Sequence, residues 1–334
     1  MVDKRINQHI ISALNEDQYQ NDLTSKLSKN IEVQASIISK ESFYIYGLNW
    51  MKAVFKKVDK NLKIDLKVRD GEYINNKKII AKISGKSRSI LSAERTALNY
   101  LQTMSGVYDK CIRYKKKIIH KPNIKILHTR KTIPLMRLPL SEACSAAGCN
   151  PHRYSLSDGI LLKENHLRVI DNLEEFILKA NKKKQKVIIE AKSPSFAKKI
   201  SKLKIERILL DNFTPKQIKD YLKSYKKQKI EVSGSININN LTFTDQINYF
   251  NSLIGPINQE NIPSLDSYLV PSFGGGFIAS FSYPKSKIKK TTGGVSILNL
   301  AETKSFNNSE NYKTPKRIYI HFDHTEPIKS VYNR

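Results

Sequence analysis

Arg130, Lys131, His152, Arg153 and Lys163 form a succession of cations in the middle of the chain. Two carboxylates, Glu190 and Asp211, follow, and then Ser233-Gly234. Arg offers planar, bidentate contacts to carboxylates and phosphates, and Lys offers a point charge. Carboxylates opposite them suit ribose hydroxyls, a bound Mg²⁺ or a developing positive charge. A Gly after a Ser lets backbone N–H groups approach a phosphate. The set is chemistry for a multiply anionic substrate that also carries hydroxyls.

These residues need a scaffold that brings them to one place. From about 124 to 236 short apolar strands alternate with amphipathic helices. The strands read as NIKILH, GILLKE, KVIIEA, RILLD and KIEVSGSI, with helices near 140–148, from Asp171, from Ser193 and from Thr214. That alternation predicts parallel β/α units. Functional groups in a parallel α/β barrel sit at the C-terminal strand ends. Here those ends carry His128–Arg130, Lys163, Glu190, Asp211 and Ser233. Any one of them is also an ordinary polar loop residue; five in succession are a pattern.

The first third reads differently. A helix is expected over 5–17, β-rich chain over 31–46, and a helix opened by Gly47. Strands over 63–68 and 77–85 flank an Asp70-Gly71 turn. A long helix starts near Ser89, with Leu91, Leu98, Leu101 and Met104 at helical spacing. The expected fold class is therefore α/β: a mixed α/β, sandwich-like N-terminal domain (1–112), then an open, incomplete parallel α/β barrel (113–237). Residues 238–334 form an atypical C-terminal segment.

The 334 residues are 40% hydrophobic, enough for a packed core. The formal net charge is +28, and most of the 58 basic residues are Lys. Abundant Lys, Ile and Asn are typical of AT-rich genomes; the alternative is an acidic partner. The lysine runs 115–117, 182–184 and 289–290 are scattered rather than gathered on one arm, which disfavours a nucleic-acid binder. Three cysteines, Cys111, Cys144 and Cys149, cannot close a disulfide framework and read as reduced thiols. The first residues are too charged for a signal peptide, and no run of ~18 apolar residues occurs. A cytoplasmic protein that does not span a membrane is expected.

The motifs together resemble the quinolinate phosphoribosyltransferase family, the carboxylating nicotinate-nucleotide pyrophosphorylases. The resemblance runs from about 11 to 237. It is carried by Asn21-Asp22-Leu23-Thr24, SAERTALNYLQTMSG (92–106), TRKTIPLMR (129–137), HRYSLSDGILLKENH (152–166), IIEA (188–191), LLDN (209–212) and EVSGSI (231–236). It implies a dimer or higher homo-oligomer that joins quinolinate to phosphoribosyl pyrophosphate with Mg²⁺, giving nicotinate mononucleotide, CO₂ and pyrophosphate. By resemblance Arg130, His152 and Arg153 hold the quinolinate carboxylates, and Arg95 serves a partner's site. Lys131 and Lys163 lie between the two substrates. Glu190 and Asp211 bind ribose hydroxyls, with Mg²⁺ held mainly by substrate, and Ser233-Gly234 binds a phosphate.

Several positions depart from the family pattern. His128 stands where Asp is usual, Leu135 for Gly, Pro151 for Asn and Ser235 for Gly. Pro151 is expected to shift the loop carrying His152 and Arg153. The larger departure lies beyond 237, where the family's last barrel strand is not recognisable. LDSYLV (265–270), FIASFS (277–282) and RIYIHF (317–322) are the candidate strands there. FGGGF (273–277) reads as a turn, and His321 with His324 lacks a third ligand. This predicts an uncovered barrel edge, an incomplete phosphate site and impaired catalysis, as in a paralogue or fusion that uses the barrel as a scaffold.

Overall fold

In the computed structural model the described residues are 4–119, 124–225, 229–234, and the strands 251–253, 277–282 and 294–295. They form two compact units, one of Met1–Asp109 with the last two strands, the other of Lys110–Ile262.

In chain order the first unit contains α1 (Lys4–Glu16), α2 (Leu23–Leu27), β1 (Glu32–Ser39), β2 (Phe43–Tyr44), α3 (Leu48–Val58), β3 (Lys63–Leu66), β4 (Tyr73–Ile74) and β5 (Ile79–Lys86). The long helix α4 (Ser87–Lys117) begins there. Its buried positions include Ile90, Leu98, Leu101 and Met104, whereas Leu91 is half-exposed. Gly47 precedes α3 at φ +105°, and Asp70 Oδ1 accepts from the N–H groups of Gly47 (2.8 Å) and Leu48 (3.0 Å). The Asp-Gly turn thus caps the helix that buries Trp50, Met51, Val54 and Phe55.

The second unit contains β6 (Lys125–His128), α5 (Arg137–Ala146), β7 (Asn150–Pro151), β8 (Ile160–Leu162), α6 (Glu164–Leu167), α7 (Leu173–Lys182) and β9 (Val187–Ala191). It continues with α8 (Pro194–Ile200), β10 (Arg207–Asp211), α9 (Pro215–Ser224), β11 (Ile230–Ser233) and β12 (Asn251–Leu253). Its helix starts are written locally. Asn172, Ser193 and Thr214 each accept a backbone N–H three residues on, and Pro follows Ser193 and Thr214. All seven strands run parallel, in the order β7-β6-β12-β11-β10-β9-β8.

Strand β12 corrects the expectation of an incomplete barrel. It pairs with β11 through Glu231↔Asn251 and with β6 through Leu127↔Leu253, so the edge expected to be bare is covered on both sides. Another tail segment goes elsewhere. FIASFS is β13 (Phe277–Ser282), which pairs antiparallel with β1, from Gln34↔Ser282 to Ser39↔Phe277. With β14 (Gly294–Val295) it completes a five-stranded sheet in the first unit, ordered β14-β13-β1-β5-β3. Strands β12 and β13 thus join different sheets. LDSYLV, RIYIHF, His321, His324, Ser235 and the glycines of FGGGF lie outside the described residues.

No helix among the described residues is long and apolar enough to cross a membrane. Cys111, Cys144 and Cys149 are free and buried, with Cys111 and Cys144 sulfurs 3.7 Å apart. Contact with Cys144 is the first cause raising the Cys111 thiol, and contact with Cys111 the first raising Cys149. Burial adds to both, so these are packing groups rather than nucleophiles.

Candidate active site

The register of the parallel strands sorts side chains by face. Leu209 is the cross-strand neighbour of both Glu190 and Glu231, and Asp211 that of Ser233. Period-2 alternation places all five on one face. The opposite face carries Ile189, Leu210 and Val232, buried among the surrounding helices. His152, just after β7, brings Nε2 to 3.1 Å from Glu231 Oε2 on β11. Strands β7 and β11 are three positions apart, about 14 Å on a flat sheet, farther than two side chains can bridge. The contact requires the sheet to curl, so this face is the inside of an open barrel.

At the C-terminal ends of the strands, carboxylates meet cations. Lys163 Nζ, past β8, is 3.0 Å from Glu190 Oε2 on β9. Ser233 Oγ donates to Asp211 Oδ1 at 2.6 Å. Gly234 turns the chain at φ +86°, and a Cβ there would lie 2.8 Å from the Asn212 backbone nitrogen, so only glycine fits. Asn212 is itself left-handed, at φ +57°.

The cations stand on less regular backbone. Arg130 and Lys131 occupy the loop between β6 and α5, and Arg130 Nε is buried without a hydrogen-bond partner among the described residues. Burial and then the nearby charge of Arg130 pull the Arg153 guanidinium below its usual range. Two guanidiniums near one another, one with a buried free donor, are chemistry suited to an anion. Arg153 also donates to Gly159 O (3.1 Å), and Asp158 ties the intervening loop through the N–H groups of Tyr154 and Ser155, both at 2.8 Å. Lys163 N–H donates to His166 Nδ1 (3.0 Å), capping α6. The spacing of the HR…D…K.NH motif thus has a structural reading.

Pro151 is accommodated at the end of a strand. Strand β7 lies at the sheet edge and pairs with β6, where a missing N–H is tolerated. His152 N–H restores the ladder by donating to His128 O at 2.9 Å. His128 faces away from the barrel interior, toward Ser141 of α5 at 3.4 Å, and burial lowers its pKa to about 4. Leu135 holds φ +64°, a glycine conformation on an exposed leucine.

Arg95 lies in the first unit, on α4, next to buried Glu94, whose carboxyl burial pushes up to about 7. Three charged groups of the second unit stand beside the motif residues without belonging to the expected set. Lys192, after β9, pairs with Glu164 Oε2 at 2.9 Å; that bond is the first cause raising its pKa, with smaller contributions from Glu190 and Asp211. Arg207 Nη1 lies 2.9 Å from Glu231 Oε1, and Glu231 is fully buried. Alternation in KIEVSG was the available signal, since it sets Glu231 on the face of Ser233.

The quinolinate phosphoribosyl transferase N-terminal domain model matches residues 22–105 and the C-terminal domain model residues 109–277. The chain belongs to this family. The match carries the likeness through β12 to the start of β13, beyond the limit of 237 that the motifs suggested. Among relatives of this family, the chain is similar to a probable carboxylating nicotinate-nucleotide pyrophosphorylase of Archaeoglobus fulgidus, 31% identical over 229 residues, covering 66% of this chain and 86% of that protein. A Bacillus subtilis protein of the same description is 29% identical over 225 residues, covering 66% and 78%. The crystal structure of NadC from Streptococcus pyogenes has a TM-score of 0.70 at 27% identity, covering 76% of this chain and 92% of that one.

Proposed function

We propose that this family member transfers the phosphoribosyl group of phosphoribosyl pyrophosphate to quinolinate, releasing pyrophosphate and CO₂ and yielding nicotinate mononucleotide for NAD biosynthesis. The observation that carries the reading is the convergence of a cation set and a carboxylate set on the strand ends of one barrel. The pyridine nitrogen attacks the anomeric carbon as pyrophosphate leaves with its bonding electrons. Glu190 and Asp211 bind the ribose hydroxyls and stabilise the oxocarbenium-like centre. The bond to the 2-carboxylate then breaks, CO₂ departs, and the electron pair left on the ring carbon takes a proton from solvent. Lys131 and Lys163, between the substrates, stabilise that negative charge. Arg130, His152 and Arg153 hold the two carboxylates, and Ser233-Gly234 the phosphate.

A Mg²⁺ ion carried mainly by the substrate's phosphate oxygens would meet Glu190 and Asp211, whose carboxylates are suited to hold it. Bound Mg²⁺ supplies neutralising charge to the pyrophosphate. Arg95 contributes to the site of a second copy, so the working unit is a dimer or larger. Exposed Leu23 and Leu27 on α2 offer apolar surface for such a partner. Free buried cysteines suit a reducing cytoplasm, and the charge serves small anions rather than nucleic acid.

An impaired scaffold is the alternative: β12 supplies a strand at the barrel edge, while the chain that follows it lies outside the described residues. The test is pyrophosphate and CO₂ release with quinolinate, phosphoribosyl pyrophosphate and Mg²⁺. Turnover on the order of 1 s⁻¹ or faster is expected. Turnover that does not depend on quinolinate would reject the reading.

A further inference from the structure

We propose that Glu231, braced by Arg207, is a positioning residue that fixes the His152 ring for gripping a substrate carboxylate. The inference rests on the quinolinate reading above. Glu231 sits between Ile230 and Val232 on β11, with 0% of its side chain exposed. A buried carboxylate between two apolar residues gains no stability over a well-packed apolar side chain, and removing a partner from it is costly. Its neighbours on the inner face explain its presence. Oε1 lies 2.9 Å from Arg207 Nη1 and Oε2 lies 3.1 Å from His152 Nε2. Arg207 is 17% exposed and His152 6%, so little water screens the cluster.

The three residues come from β10, β11 and the end of β7, and each has a distinct duty. Arg207 balances the carboxylate and leaves one oxygen for the histidine. The main chain of His152 is tied by its N–H to His128 O. Its ring keeps torsional freedom unless something holds the tip, and the Glu231 carboxylate lies at ion-pair distance from Nε2. With Nε2 turned to Glu231, Nδ1 is the ring nitrogen left for a substrate carboxylate. Glu231 places a negative charge beside the ring, on the side away from the substrate. It touches no reacting atom and acts through His152.

The test is Glu231→Gln, which keeps shape and removes charge. Three results are expected: KM for quinolinate rises about tenfold, KM for phosphoribosyl pyrophosphate stays within about twofold, and kcat falls less than about threefold. In a His152→Ala background, Glu231→Gln should add less than about twofold, since the pair acts as one unit. A quinolinate KM within twofold of wild type, equal loss for both substrates, or full additivity would each overturn the proposal. If Glu231→Gln does not accumulate as folded protein, Arg207→Lys carries the same expectations and the same refutations. A substrate-free readout separates this inference from the functional reading. The His152 ring ¹⁵N signals of the ligand-free protein should move in either variant, and unmoved signals refute the contact even if quinolinate proves not to be the substrate.

Discussion

The cation half and the carboxylate half of the site are built differently. Arg130 and Lys131 stand on a loop, and His152 and Arg153 follow a two-residue edge strand. Glu190, Asp211 and Ser233 end three neighbouring strands in register. The carboxylate half is already satisfied internally, Glu190 by Lys163 and Asp211 by Ser233. The cation half holds a buried free donor on Arg130 and two guanidiniums near one another. Regular backbone suits groups that must meet a transition state at fixed geometry, because misplacement there costs rate. Irregular backbone suits groups whose mutual repulsion is relieved when an anion arrives.

The largest effect should come from the carboxylate half. Asp211→Asn should lower kcat by roughly 10²- to 10³-fold while quinolinate KM changes little. A comparable rise in quinolinate KM in steady-state assays would dissolve the distinction between the halves.

Acid should strain the cation half first. His128 ends β6, beneath that half, and its folded pKa of about 4 lies below the ordinary 6.5. The unfolded chain therefore binds the proton more readily across this window. The stabilisation is present above pH 6.5 and is lost as pH falls to about 4, at most about 3 kcal/mol. Urea titrations should show this loss in wild type and a flatter profile in His128→Asn, and amide exchange at low pH should rise in 125–153 before 187–233. Uniform exchange would mean the halves do not differ in robustness.

The smallest effect belongs to one cation. Arg153→Ala should weaken quinolinate binding about 10- to 100-fold, with affinity for phosphoribosyl pyrophosphate nearly unchanged. Calorimetry with each substrate separately reads both values, and equal loss would show that Arg153 does not belong to one substrate alone.

Much of this was legible in the residues themselves. Asn172, Ser193 and Thr214 announce their helices because a cap acts within three residues. RILLD and KIEVSG read as buried strands with polar ends because apolar runs and their boundaries are local. The order of the motifs was enough to indicate the family. Strand β12 was not legible: Asn251-Ser252-Leu253 has no apolar run, and it is a strand because β11 and β6 offer it hydrogen bonds from both sides. Strand β13 is evident as a strand, and only its sheet is chosen by the free edge of β1. Whether His152 reaches Glu231 depends on how far the sheet curls. Side-chain types and strand ends are written residue by residue; strand partners and the closure that joins distant side chains belong to tertiary structure, because they are set by contacts between segments that no single segment encodes.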